Sequence, residues 1–214
     1  MALKRDKPKS EEAWKQAREN RGIGASEAAA IVGMSPWMTA DELWQIKTGN
    51  KARPDLSDNP LVQQGKRMEN AIRELYKAYH PDYKVTYHPY DLLYQEERPW
   101  LFATLDGEIT DNNGRPGILE CKTATPTSKA DWAKWDCQIP QPYLIQTLHQ
   151  QLASGFVFVD LIACLINSEG DFTIRTYHFE RSAYEGDLAW LLGKEIAFWN
   201  SVQSKTLPPM TLVL

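Results

Sequence analysis

Apolar positions recur along this chain at two periods, and the change of period divides it into a helical start, a β-rich middle and a mixed end. Residues 11–21 (EEAWKQARENR) read as a helix with Trp14 and Ala17 on its apolar side. The segment GIGASEAAAIVG follows, a helix starting near Ser26 and stopped at Gly33. A further helix, capped by Thr39 or Asp41, ends at Gly49. Residues 50–60 are polar, contain Pro54 and Pro60, and read as a loop. From 61 to about 79 the helical period is strong, with Met68, Ile72, Leu75, Tyr76 and Tyr79 on one side.

Beyond His80-Pro81-Asp82 the pattern turns to strands, over 84–90, 101–110 and 117–123, with DNNGRPG as the turn between the last two. Residues 126–138 read as partly helical, and 142–154 as a helix with Leu144, Leu148 and Leu152 in register. A buried strand over 156–166 pairs with 171–179 through the turn 167–170, and 181–203 forms a closing helix. No repeat and no long linker divides the 214 residues. The order predicts one α/β domain: a central mixed β-sheet flanked by helices on both sides. Its parts are an N-terminal helical region (11–50), a core (61–179) and the closing helix.

Composition narrows this picture little. Hydrophobic residues are 43% and charged residues 24%, ordinary globular values that argue against disorder. A formal charge of −4 does not announce a nucleic-acid binder, but clustered carboxylates at a site can mask a basic rim elsewhere. Cys121, Cys137 and Cys164 are too few for a four-cysteine cluster and show no disulfide framework, so a reducing cytoplasm is expected. MALKRDKPKSEE has no apolar core of a secretory signal, and the apolar run 156–166 is too short to cross a bilayer.

The chemistry concentrates at Glu120-Cys121-Lys122. On a strand, period two puts Glu120 and Lys122 on one face and Leu119 and Cys121 on the other. A hairpin with the preceding strand would bring Asp106 beside Glu120. Two carboxylates and an ammonium on neighbouring strands suit a hard divalent cation, with the lysine able to orient or deprotonate water. Taken alone, the tripeptide reads more readily as a cross-strand salt bridge than as a metal site; Asp106 on the partner strand shifts the reading. Pro81-Asp82-Tyr83-Lys84 spells a similar motif but follows a helix stop with no acid upstream, so Asp82 reads as turn chemistry and Lys84 as the start of an exposed strand. Glu69, on the long helix, and Gln146 would by themselves read as surface residues. Tyr143, Gln146 and Gln150 share a helical face that would present a polar ridge to a neighbouring site.

GIGASEAAAIVGMSPWMTADELWQIKTG, GKRMENAIRELY, FATLDGEI, ILECKT and YLIQTLHQQLASG resemble, in order, the motifs of the YqaJ-type viral recombinases, relatives of phage lambda exonuclease with a restriction-endonuclease-like, PD-(D/E)XK core. Carried over residue by residue, the resemblance implies Asp106, Glu120 and Glu69 as metal-binding acids. The Cys121 carbonyl would be a backbone ligand, Lys122 the catalytic lysine, Gln146 a glutamine near the site and Tyr143 its neighbouring tyrosine. Trp14-x-x-x-Arg18 and Ser26 resemble the pocket for a 5′-phosphate. The Arg18-to-Ser26 stretch is one residue longer than in lambda exonuclease, so Arg21 competes for the role.

The resemblance further implies a Mg²⁺-dependent exonuclease with two ions, for which Mn²⁺ would substitute. It would digest the 5′-ended strand of double-stranded DNA to mononucleotides and leave a 3′ overhang. A ring-shaped trimer working with a single-strand annealing protein of the RecT/Redβ kind, in the cytoplasm of a bacterial host, is part of the same expectation. Two rivals are a nicking or structure-specific endonuclease on the same core and a DNA-binding module without catalysis. Retention of both acids and the lysine weighs against the second. The eight tryptophans, spread along the chain, read as core and interface rather than a stacking surface.

Overall fold

A computed structural model describes residues 2–207. The chain runs β1 (Leu3–Asp6), α1 (Glu11–Arg21), β2 (Ile23–Gly24), a 3₁₀ turn (Ala25–Glu27), α2 (Ala28–Ile31), α3 (Ala40–Lys47) and α4 (Pro60–Tyr79). It continues through β3 (Lys84–Thr86), β4 (Leu92–Gln95), β5 (Leu101–Ala103), β6 (Gly107–Thr110) and β7 (Pro116–Ala124). The remainder is α5 (Lys129–Ala133), α6 (Gln141–Ser154), β8 (Phe158–Ile166), β9 (Phe172–Glu180), a 3₁₀ turn (Arg181–Tyr184) and α7 (Glu185–Ser204).

Local chemistry accounts for the helix ends. Ser10 accepts from the Ala13 amide at 3.2 Å to open α1. Thr39, rather than Asp41, caps α3 through a reciprocal box with Glu42. Asn59 caps α4, with Pro60 in the first turn where its missing N–H costs nothing. Gly155, at φ 76°, closes α6 in the left-handed conformation.

The expected mixed sheet is present: five strands in the order β3-β6-β7-β8-β9, antiparallel except for the β7–β8 pair. Helix α4 packs on one face of β7, where Ile72 and Tyr76 meet Leu119, Cys121, Phe158 and Ile162. Helix α6 lies on the other side, with α7 outside it. Tyr76 also donates to the buried Asp160 of β8, which His178 of β9 approaches at 2.6 Å, so α4 is pinned in its last turn. No helix among the described residues is long and apolar enough to cross a membrane.

A second sheet, β1-β4-β5-β2, was not expected. It arises where one predicted strand is cut short, an unpredicted one follows it, and another predicted strand divides. The stretch 84–90 is a strand only to Thr86, and after a turn the chain re-enters the other sheet as β4. The stretch 101–110 is β5 in one sheet and β6 in the other, broken at 104–106. Leu101, Phe102 and Ala103 are all buried, whereas 107–110 alternate between buried and half-buried, so the two halves need different surroundings. The predicted helix from Ser26 to Gly33 is likewise a 3₁₀ turn followed by a four-residue α2, and the closing helix begins as a 3₁₀ turn.

Candidate active site

The break between β5 and β6 places Asp106 at the seam of the two sheets. A side chain on Gly107 would put its Cβ 3.1 Å from the Leu119 Cβ, so glycine lets the chain come down tightly onto β7. The Cys121 amide then donates to Asp106 Oδ2 at 2.9 Å. From the other side Arg73 of α4 donates to the Asp106 backbone carbonyl at 2.7 Å, with weaker contacts to Glu69 (3.4 Å) and Asn70 (3.3 Å). Arg73 therefore staples the helix that carries Glu69 to the seam that carries Asp106.

On β7 the two faces separate as period two requires. Leu119 and Cys121 belong to the α4 core, while Glu120 and Lys122 turn to α6. Both carboxylate oxygens of Glu120 are held: Oε1 accepts from Gln146 Nε2 at 2.7 Å and lies 2.6 Å from the Lys122 ammonium, and Oε2 accepts from Gln150 Nε2 at 2.6 Å. Lys122 donates in turn to Gln146 Oε1 at 2.9 Å and lies 4.9 Å from the centre of the Tyr143 ring. The face of α6 bearing residues 143, 146 and 150 is thus the surface against which Glu120 and Lys122 are fixed.

The electrostatics are unbalanced toward negative charge. Burial, then repulsion from Glu120 and Glu69, pushes the Asp106 carboxyl well above the usual carboxylate range, against the pull of Lys122 and the Cys121 amide. Burial alone would lower Lys122, but attraction to Glu120 and Asp106 outweighs it and raises the ammonium above its ordinary value. Lys122 is consequently protonated at neutral pH. Among the described residues no three His, Cys, Asp or Glu side chains converge as a ready metal-ligand set. Glu120 is instead turned to its glutamines and lysine, Asp106 to Cys121, and Glu69 to Arg73. In kind, however, the donors fit a hard divalent cation: they are carboxylate oxygens whose mutual repulsion such an ion would relieve.

Beside these acids lies a cleft of about 590 Å³ whose lining includes Asp106, Glu69 and Gln146 at one end and Arg18 and Ser26 at the other. Trp14 bridges the two, its indole donating to Thr104 at 3.2 Å while the Arg18 guanidinium lies 4.5 Å over its ring. Ser26 is exposed at the cleft, inside the 3₁₀ turn rather than at the start of an α-helix. Arg21 is placed elsewhere, ion-paired with Asp6 and lying over the Tyr94 ring at 4.2 Å. Asp82 and Lys84 are exposed at the edge strand β3, remote from the acids in the sheet order.

Gln150 takes the place expected of it on the polar ridge of α6, while two groups around the site escaped the sequence reading as participants. Arg73 stands one helical turn after Glu69, a spacing that could have flagged it. Glu27, Lys47 and Arg53 form an ion cluster around the buried Glu27 carboxylate, with Lys47 2.8 Å from Glu27, and no local pattern links them.

A family model for the YqaJ-like viral recombinase domain matches residues 13–156. Protein YqaJ of Bacillus subtilis (strain 168), described as uncharacterized, is 29% identical over 147 residues; the match covers 69% of this chain and 43% of that protein, less than half the relative's length. The alkaline exonuclease LHK-Exo of Laribacter hongkongensis, solved also in complex with dAMP, superposes with a TM-score of 0.65 at 18% identity, over 91% of this chain and 93% of its own. A phage related exonuclease from Haemophilus somnus 129PT gives a TM-score of 0.54 at 12% identity, over 86% and 96%. At such identities these structures establish the shared fold.

Proposed function

The chain belongs to the YqaJ-like viral recombinase domain family, and from that premise we propose that it is a metal-dependent exonuclease of linear double-stranded DNA, acting in the 5′→3′ direction. One observation carries the reading: a single cleft joins Arg18 and Ser26 to the acids around Asp106. An arginine and a hydroxyl suit a terminal phosphate, and acids in the same cleft suit the metal that cleavage of a phosphodiester of that strand would need. The exonuclease names of the structural neighbours point the same way.

Asp106, Glu120 and Glu69, with the Cys121 carbonyl, would hold Mg²⁺, two ions in the reading we favour, and Mn²⁺ would satisfy the same oxygens. A bound ion of this kind polarises the scissile phosphate and lowers the pKa of water. The side chains do the rest. Lys122, protonated and pinned between Glu120 and Gln146, positions the attacking water and offsets charge developing on the phosphate. Gln146 and Gln150 hold Glu120 in one rotamer, and Tyr143 supports Lys122. Arg18 and Ser26 fix the end so that cleavage is registered from it; Arg21, engaged by Asp6, is not used. By the family resemblance the product is a 3′ overhang for a RecT/Redβ-type annealing protein, and the working assembly is a ring-shaped trimer in the host cytoplasm. Apolar Trp190 and Ile196, exposed on α7, offer surface for self-association.

The test is a linear duplex labelled at one 5′ end, carrying phosphate or hydroxyl there, incubated with and without Mg²⁺ beside a closed circle of the same DNA. Mg²⁺-dependent release of labelled mononucleotide, faster from the phosphate end, with the circle intact, is the expected result. Cutting of the circle would transfer the site to an endonuclease, and no cleavage of either DNA would leave a binding module.

A further inference from the structure

Arg53 lies in the polar loop between α3 and α4, yet the fold returns it to the start of the chain, against Glu27. Glu27 is 7% exposed and collects the Gly24 amide at 2.9 Å, the Lys47 ammonium at 2.8 Å and the Arg53 guanidinium. Burial works to raise this carboxyl, but Lys47 and Arg53 outweigh it and hold it below its ordinary value, so it is ionised. A buried carboxylate needs one partner to be neutralised. Here it has two, and Arg18 stands beside them over the Trp14 ring, with no carboxylate in ion-pair contact among the described residues.

The surplus charge faces a hollow. A cavity of about 150 Å³ is lined by Trp14, Arg18, Glu27, Arg53 and Phe102, with Lys15 and Glu19 at its margin. It shares Trp14, Arg18 and Phe102 with the large cleft, so Arg18 stands between the two spaces. Lys15 and Glu19 cancel in formal charge. Arg18 and Arg53, which line the cavity, together with Lys47, which holds Glu27 at 2.8 Å, then leave two positive charges over the buried Glu27. Burial lowers the Arg18 guanidinium below its ordinary value, Glu27 works against this, and the neighbouring Arg53 lowers it further. A terminal phosphate monoester carries about −1.5 to −2 at neutral pH, which matches that surplus. A phosphodiester carries a single charge, and a hydroxyl end none.

We infer that Arg53, delivered by the buried Glu27, is the second guanidinium of the terminal-phosphate pocket and sets its preference for a phosphate monoester over a hydroxyl end. The inference rests on the exonuclease reading above. Arg53 gives Glu27 its Nη2, and a guanidinium has further N–H donors for a phosphate oxygen. Trp14 and Phe102 wall the hollow with apolar surface, which strengthens such charge-assisted hydrogen bonds by excluding water.

The experiment is metal-free equilibrium binding, in EDTA, of a short blunt duplex carrying either 5′-phosphate or 5′-hydroxyl ends, with wild type, Arg53→Gln and Arg53→Lys. Wild type is expected to prefer the phosphate end, and Arg53→Gln to reduce the phosphate-to-hydroxyl affinity ratio by about tenfold to a hundredfold. Arg53→Lys keeps a cation beside Glu27 and should fold as wild type does. Because it loses the planar fork, its ratio should fall between the other two. If wild type prefers the phosphate end and both variants keep the full ratio, Arg53 has no such role, while the exonuclease reading stands. Equal weakening at both kinds of end would overturn the inference in the same way, marking Arg53 as a general support. If wild type itself ignores the terminal phosphate, the end-recognition part of the proposed function fails, and the inference with it.

Discussion

The two ends of the cleft are built with opposite surpluses. At the sheet end, Asp106, Glu120 and Glu69 outnumber Lys122 and Arg73 by one, and Asp106 is held well above the ordinary carboxylate range. At the helical end, Arg18, Lys47 and Arg53 outnumber Glu27, and burial lowers Arg18. They also differ in how firmly they are framed. Glu120 and Lys122 sit on an eight-pair parallel ladder between β7 and β8, whereas Arg53 is fixed by one buried carboxylate on a loop. The lesson is that a polar site shows its ligands in its own charge balance: excess carboxylate at one end suits a cation, and excess cationic side chains at the other suit an anion. A strand of DNA with its bound metal supplies both.

The largest expected effect comes from breaking the sheet end. Lys122→Ala removes the ammonium beside Glu120 and takes the donor from Gln146 Oε1. Hydrolysis of a phosphate-ended duplex should fall by about 10²–10⁴-fold, the range for removing a positioned proton-handling or charge-stabilising group. Binding of the same duplex in EDTA should persist, because the Arg18 end is untouched. A Lys122→Ala protein that digests duplex DNA at the full rate would remove Lys122 from the mechanism.

A smaller effect of opposite sign on stability sharpens the charge argument. Asp106→Asn keeps an oxygen to accept from the Cys121 amide and deletes one of the mutually repelling charges. In metal-free buffer at neutral pH its melting temperature should rise by about 2–6 °C, corresponding to roughly 1–2 kcal/mol for a chain of this size. Mg²⁺ should stabilise wild type more than the variant, since an ion that binds only the folded state shifts the equilibrium by mass action. A lower melting temperature for Asp106→Asn in EDTA would mean that the acid cluster carries no surplus to relieve.

How much of this was legible in the sequence follows from the range of the interactions. The facing of Glu120 and Lys122 is a period-two property of six or so consecutive residues, and the helical faces of α4 and α6 are equally local. The break at 104–106 was not legible, because LFATLDGEIT alternates smoothly enough for one strand; only Gly107 inside it hinted at a close approach. Strand β1, with Lys4, Arg5 and Asp6 among its four residues, carries no apolar pattern, and pairs through backbone bonds to β4. Arg53 was invisible for a different reason. Its partner Glu27 is 26 positions away, and a polar loop arginine looks the same whether it meets solvent or a buried carboxylate. Local patterning reveals elements and faces, while long-range charge pairing is decided by the packing of elements that patterning alone does not order.

The smallest expected effect is also the control for the sheet end. Pro81-Asp82-Tyr83-Lys84 has the spelling of a nuclease motif, but Asp82 is exposed in a turn and Lys84 opens an edge strand at the far side of β6 from β7. Neither touches the cleft, and neither is in hydrogen-bond contact with Asp106 or Glu120. Asp82→Asn should therefore leave the rate of duplex digestion unchanged, and shift stability by no more than about 0.5 kcal/mol, as surface substitutions generally do. Rates measured beside Lys122→Ala on one substrate give the comparison directly. If Asp82→Asn lost activity to the same degree as Lys122→Ala, the metal site would have to be rebuilt around the edge strand. The surplus at Asp106 would then need another explanation.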